Sequence, residues 1–96
     1  MKIKFKARLW RWAGDKAAWH FVSVPKDLSA KISKGIKVKR GWGSVRVRAR
    51  IGDSTFDTSV FPDKKSGTYL LPVKASVRRT EALEHGDAVD VRLDPK

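Results

Sequence analysis

Two stretches of this chain alternate between apolar and cationic residues without a break. Lys2-Ile3-Lys4-Phe5-Lys6-Ala7-Arg8-Leu9 places every cation at an even position, and Val45-Arg46-Val47-Arg48-Ala49-Arg50-Ile51 repeats the pattern. A period of two is that of an extended strand, whose successive side chains point to opposite faces. Each segment therefore predicts a half-buried strand with one apolar side and one cationic side.

The rest of the chain fits around these two. Gly14-Asp15 breaks the first strand, and Ala18-Trp19-His20-Phe21-Val22-Ser23-Val24, rich in aromatic and β-branched residues, predicts a second. Pro25 then suits the first turn of a helix, Asp27 favours the positive end of its dipole, and Leu28, Ile32 and Ile36 form one apolar stripe closed by Gly35. After the third strand, Gly52-Asp53 marks a hairpin turn into a returning strand from Thr55 to Phe61, with Phe56 and Val60 inward. A loop over Pro62–Gly67 leads to a strand over Thr68–Leu71 that ends at Pro72. A helix through Leu83 follows, carrying Val73 and Val77, and Ala88–Leu93 is the last strand. Six strands and two short helices predict a single, mainly β domain over residues 1–96, a barrel or a sandwich. A weak internal repeat accompanies it: strand, proline and helix recur with Pro25 and Pro72 offset by 47 residues, an offset that Ser29 and Ser76 share.

Composition decides whether such a chain folds. Its 96 residues hold 22 Lys and Arg against 10 Asp and Glu, a net charge of +12. Leu, Ile, Val and Phe make up 24 residues of 96, a quarter, above the roughly one-fifth below which highly charged chains stay disordered. The chain has no Cys and two His, His20 and His85, which excludes disulfides, thiolate metal sites and a Cys nucleophile. No apolar run reaches the roughly 18 residues of a membrane-spanning helix. Charges interrupt the apolar residues of the opening segment, unlike a signal peptide, so a cytoplasmic protein is expected. The charge excess is localised: residues 1–48 hold 14 Lys and Arg against 2 acids, while residues 49–96 hold 8 of each.

Four blocks of the sequence carry a family resemblance: Ala18-Trp19-His20-Phe21-Val22-Ser23-Val24-Pro25, Gly41-Trp42-Gly43-Ser44-Val45, Phe61-Pro62-Asp63-Lys64-Lys65-Ser66-Gly67-Thr68-Tyr69-Leu70-Leu71-Pro72-Val73-Lys74, and the closing Gly86-Asp87 with Val89 and Val91. In order and spacing they resemble the bacterial domain-of-unknown-function family numbered nineteen-oh-five. The resemblance implies a small double-split β-barrel, AbrB-like in architecture, with a pseudo-twofold internal repeat. Family members are often fused to a YdeI/OmpD-associated bacteriocin-protection domain, and here the barrel is expected to stand alone. The family brings no activity, cofactor or site residues, and a shared fold does not supply them.

Candidate sites are then read from the residues. Lys2, Lys4, Lys6 and Arg8 share one face of the first strand, and Arg46, Arg48 and Arg50 share one face of the third. Lys37, Lys39 and Arg40 lie in the Gly-punctuated connection between them, beside Trp42. Such an array suits a phosphate backbone, which binds by releasing counterions. The competing reading is a solvated strand face kept soluble by charge, with Asp90 and Asp94 pairing some of the cations. Trp42 either stacks on a base or caps the barrel. Trp10 and Trp12 join the cationic face if the alternation runs past Leu9, whereas a bulge would turn one of them inward. His20, Ser23 and Asp27 make a poor triad, with no oxyanion-type Gly motif nearby. Asp53, Asp57 and Asp63 read as turn and surface acids rather than metal ligands. The expected function is a non-catalytic, metal-free and cofactor-free binding module, monomeric and away from membranes, that takes nucleic acid or another polyanion. The alternative is a small-ligand or protein-interaction barrel linked to bacteriocin tolerance or stress, with its charge serving solubility.

Overall fold

The alternating segments become strands that bury their apolar positions on one shared core. The structure, a computed structural model, describes residues 2–13, 18–35 and 43–96. In chain order its elements are β1 (Ile3–Ala13), β2 (Ala18–Ser23), α1 (Lys26–Gly35), β3 (Val45–Ile51), β4 (Ser54–Asp63), β5 (Thr68–Pro72), α2 (Ala75–Thr80) and β6 (Ala88–Pro95). The six strands close an antiparallel barrel in the order β1-β2-β5-β4-β3-β6, and β6 meets β1 again. Inward positions such as Leu9, Val22, Val47, Ile51, Val60, Leu71, Val91 and Leu93 are essentially sealed from solvent. Ile32 of α1 and Val77 of α2 join the same core, while Leu28 packs against it. Ile36, expected on that stripe, lies outside the described residues. Among the described residues no helix is long and apolar enough to cross a membrane.

Two strands turn corners. Ile3 to Arg8 of β1 pair with β6, whereas Leu9 to Ala13 pair with β2. In the same way Ser54 to Val60 of β4 pair with β3, and Phe61 to Asp63 pair with β5. The barrel therefore has two curved sides, β1-β6-β3-β4 and β1-β2-β5-β4, joined along β1 and β4.

The repeat is exact in topology. Exchanging β1 with β4, β2 with β5 and β3 with β6 leaves every neighbour relation unchanged, so the fold has a pseudo-twofold axis. Hydrogen bonds locate the equivalence. Val24 N–H donates to the Tyr69 carbonyl and Val73 N–H to the His20 carbonyl, both at 2.9 Å. Ser29 Oγ donates to the Val24 carbonyl at 3.0 Å, as Arg78 Nε does to the Val73 carbonyl at 3.2 Å. Val24 thus corresponds to Val73, an offset of 49 residues, and the Pro25–Pro72 match at 47 is out of register by two. The equivalent of Ser29 is Arg78, not Ser76.

The second helix is also shorter than its valine spacing suggests. Val73 is extended and still paired to β2 through His20, and the helix winds only over Ala75–Thr80. It ends in a Schellman-type turn: Leu83 N–H donates to the Arg78 carbonyl at 2.8 Å and Ala82 N–H to that of Arg79 at 3.3 Å. Beyond it, Glu81 reaches the β3–β4 hairpin, where its carboxylate accepts the Ser54 hydroxyl at 2.7 Å and Asp53 N–H at 3.3 Å. Gly52 leads that two-residue turn at φ 58°, and a Cβ there would run into the Glu81 carboxylate.

Candidate functional site

The cations of β1 and β3 reach one outer surface, but the two strands are not neighbours. β6 runs between them, pairing with β1 on one side and β3 on the other. Lys2, Lys4, Lys6, Arg8, Arg46, Arg48 and Arg50 are all exposed on this side of the barrel. The remaining predicted residues, Lys37, Lys39, Arg40 and Trp42, lie outside the described residues. The intervening strand adds Arg92, with Lys96 just past its end. Among the described residues, nine cations therefore face three acids, Asp57, Asp90 and Asp94.

Register fixes who stands beside whom. Lys4 lies opposite Arg92, and Arg92 opposite Arg50, so three cations form one row across three strands. Lys6 lies opposite Asp90, and Arg48 stands between Asp94 and Asp57. The ion pairs among the described residues both fall on Asp57, which takes Arg48 Nε and Lys96 Nζ at 2.9 Å each. These two partners, Arg48 foremost, hold the Asp57 carboxyl well below the usual carboxylate range, and Asp57 in turn raises the Arg48 guanidinium. The pairing expected from Asp90 and Asp94 is thus made by Asp57 from β4, and it neutralises the edge of the surface rather than its centre.

The centre stays positive. Arg50 Nε donates to the Gly52 carbonyl at 3.1 Å, which aims the guanidinium along its own strand. A depression of about 510 Å³ opens here between Lys4, Arg50, Asp90 and Arg92. On the other side of the Lys4–Arg92–Arg50 row lies a second of about 290 Å³, bordered by Lys2, Arg48 and Asp94. Like charges directly opposite each other across a ladder destabilise it. Arg50 and Arg92 are moreover equivalent under the pseudo-twofold, so the axis passes between two arginines.

The opposite side of the barrel is aromatic. The alternation of β1 continues without a bulge, pairing Trp10 with Phe21 and Trp12 with Trp19 on the outer face of β1 and β2. Trp10 packs on Phe21 with ring centroids 5.2 Å apart, and its Nε1 donates to Ser23 Oγ at 3.0 Å. Trp19 stacks on Phe21 at 6.4 Å, with the ring planes 13° apart. With Phe61, Leu70 and Pro72 they line a groove of about 650 Å³, rimmed by Asp63 and Lys65. Trp12 and Trp19 are each 53% exposed and Phe61 41%.

Among the described residues, the other polar combinations weighed from the sequence do not assemble. His20 and Ser23 lie on opposite faces of β2, which separates the members of the imagined triad. Asp53 sits in the β3–β4 turn, Asp57 holds its two cations, and Asp63 accepts from Ser66 Oγ at 2.8 Å. The Ser66 hydroxyl and the neighbouring backbone N–H groups hold the Asp63 carboxyl below the usual range. Among the described residues no group of three potential metal ligands gathers.

Sequence reasoning missed Arg92, which sits at the centre of the cationic surface. It alternates outward in a short strand of a charge-neutral half, and nothing local says that this strand inserts between β1 and β3. Trp19, Phe21 and Phe61 were missed because aromatic strand residues read as core. The family model described as Domain of unknown function (DUF1905) matches residues 5–93. No curated protein matches the chain.

Proposed function

The chain belongs to the family described as Domain of unknown function (DUF1905), and we propose that it is a non-catalytic binding module for polyanions, nucleic acid foremost. The observation that carries this reading is the Lys4–Arg92–Arg50 row, with two arginines opposed across the pseudo-twofold axis. That arrangement stores repulsion, and a bound phosphate would relieve it by bridging guanidinium groups that present paired donors. Lys2, Lys6, Arg8, Arg46 and Arg48 extend the surface along the strands, so several phosphates of one polymer can be engaged at once. Contacts of this kind set affinity and register on a backbone and carry little sequence information. The module works in the bacterial cytoplasm, where nucleic acid is the abundant polyanion.

Binding of labelled mixed-sequence DNA or RNA, measured across a salt series, tests the reading. The logarithm of the association constant should fall linearly with the logarithm of salt concentration. Changing Arg50 and Arg92 together to Ala should flatten that slope by about two, roughly one per lost phosphate contact. No binding at low ionic strength, or a slope indifferent to the double substitution, would remove the basis of the proposal.

A further inference from the structure

The geometry points to single-stranded nucleic acid as the polyanion, with its bases stacked on the aromatic side of the barrel while its phosphates follow β1. This rests on the polyanion reading and adds a ligand class to it. Just after Lys2, the outer row of β1 runs Lys4, Lys6, Arg8, Trp10, Trp12, one outward side chain about every 7 Å along the strand. Because β1 turns a corner after Arg8, leaving β6 for β2, this one row begins on the cationic side and ends on the aromatic side. A strand that engages the lysines and Arg8 is thereby led to Trp10 and Trp12.

The aromatic side is built as a platform. Trp12 and Trp19 face each other across the β1–β2 ladder, each 53% exposed. Phe21 stacks beside Trp19 on the same face of β2, and the hydrogen bond to Ser23 Oγ fixes the Trp10 ring. Trp12, Trp19 and Phe61 stand outside the buried core, so among the described residues their exposed faces pack against nothing in the fold. A base offers a flat π-face of any sequence, which is what a fixed, half-exposed indole accepts. A duplex keeps its bases stacked inside and cannot reach the platform. A second copy of this chain is disfavoured as occupant, since it would bring +12 against +12.

Binding of a labelled oligothymidylate is compared with that of inorganic polyphosphate, which offers charge without bases, and of a mixed-sequence duplex. The oligothymidylate should bind more tightly than polyphosphate and quench the intrinsic tryptophan fluorescence. Trp12→Ala and Trp19→Ala should each weaken it by about tenfold, with polyphosphate unchanged. Trp12→Phe, which keeps a ring, should retain most of the affinity. Equal affinity for oligothymidylate and polyphosphate, or equal losses for both in the Ala variants, would overturn the stacking proposal and leave the polyanion reading intact. A dimer in sedimentation that Trp12→Ala dissolves would overturn it too, assigning the groove to a second copy. If no polymer binds even at low ionic strength, the polyanion reading itself has failed.

Discussion

Ser29 and His20 show how individual buried polar atoms are treated in this small barrel. The Ser29 hydroxyl donates to the Val24 carbonyl and accepts Tyr69 N–H, both at 3.0 Å, so it satisfies two backbone groups that the β2–β5 ladder leaves over. Its pseudo-twofold counterpart, Arg78, reproduces the donor half of that arrangement with Nε. His20 is less well served, because its Nδ1 is sealed from solvent with no hydrogen-bond partner among the described residues. Burial disfavours the imidazolium most, and Arg78, Arg11 and His85 add further positive potential, so the His20 pKa lies below its ordinary value of 6.5. The unfolded chain then binds a proton that the folded chain refuses in the window between the two values. The stability that this group contributes is therefore fully present above pH 6.5 and is lost as pH drops from 6.5 through the lowered folded value. Thermal melts across this range should show a decline that His20→Phe, an apolar ring of similar shape, removes without loss at neutral pH. A decline that persists in the variant would assign the proton uptake to another group.

At the scale of elements, the end of α2 is held in a conformation its sequence does not favour. Ala82 occupies the left-handed position of the Schellman-type turn at φ 54°, where a Cβ costs about 1 kcal/mol or more and Gly is the usual residue. Ala82→Gly should raise stability by about 1 kcal/mol in denaturant melts, and a loss instead would mean that the turn is held by Leu83 packing rather than by its backbone. The same turn ends the helix at Thr80, short of the Leu83 that the sequence predicts. A four-residue spacing such as Val73–Val77 fits a helix, yet here Val73 completes a strand ladder and Val77 sits inside the helix, both facing the same core. Where one face of a strand is buried and the other wet, the pattern is unambiguous: β3 spans Val45–Ile51 as its alternation predicts. β1 runs past Leu9 to Ala13, up to the Gly14-Asp15 break, with tryptophans in place of cations at the outward positions while the ladder continues. Alternation reports which face is buried and says nothing of which strands lie side by side.

At the scale of the whole molecule, the pseudo-twofold axis joins two unlike poles. It leaves one side of the barrel between Arg50 and Arg92, and the other at Val22 and Leu71, a mutually paired and buried couple surrounded outside by the aromatic groove. The fold is repeated but the surface is not, because outward residues are free to diverge once the inward ones have specified the core. This is also why the site was only half legible. The cations of β1 and β3 were visible as local patterns, whereas their convergence around Arg92 depends on β6 crossing from the far end of the chain. The opposition of Arg50 and Arg92 gives this pole a testable conflict between stability and binding. Arg92→Glu would place an acid between Lys4 and Arg50, turning two like-charge neighbours into opposite-charge ones, each worth about 0.2–1 kcal/mol. The variant should melt at a higher temperature than the natural chain at low salt, and the gap should narrow as salt screens these exposed charges. In the same preparation, affinity for nucleic acid should drop more steeply than for Arg92→Ala, since the glutamate repels the phosphate as well as removing its partner. An unchanged melting temperature at low salt would mean that the arginines oppose each other at no cost, and the argument for an anion at the axis would fall with it.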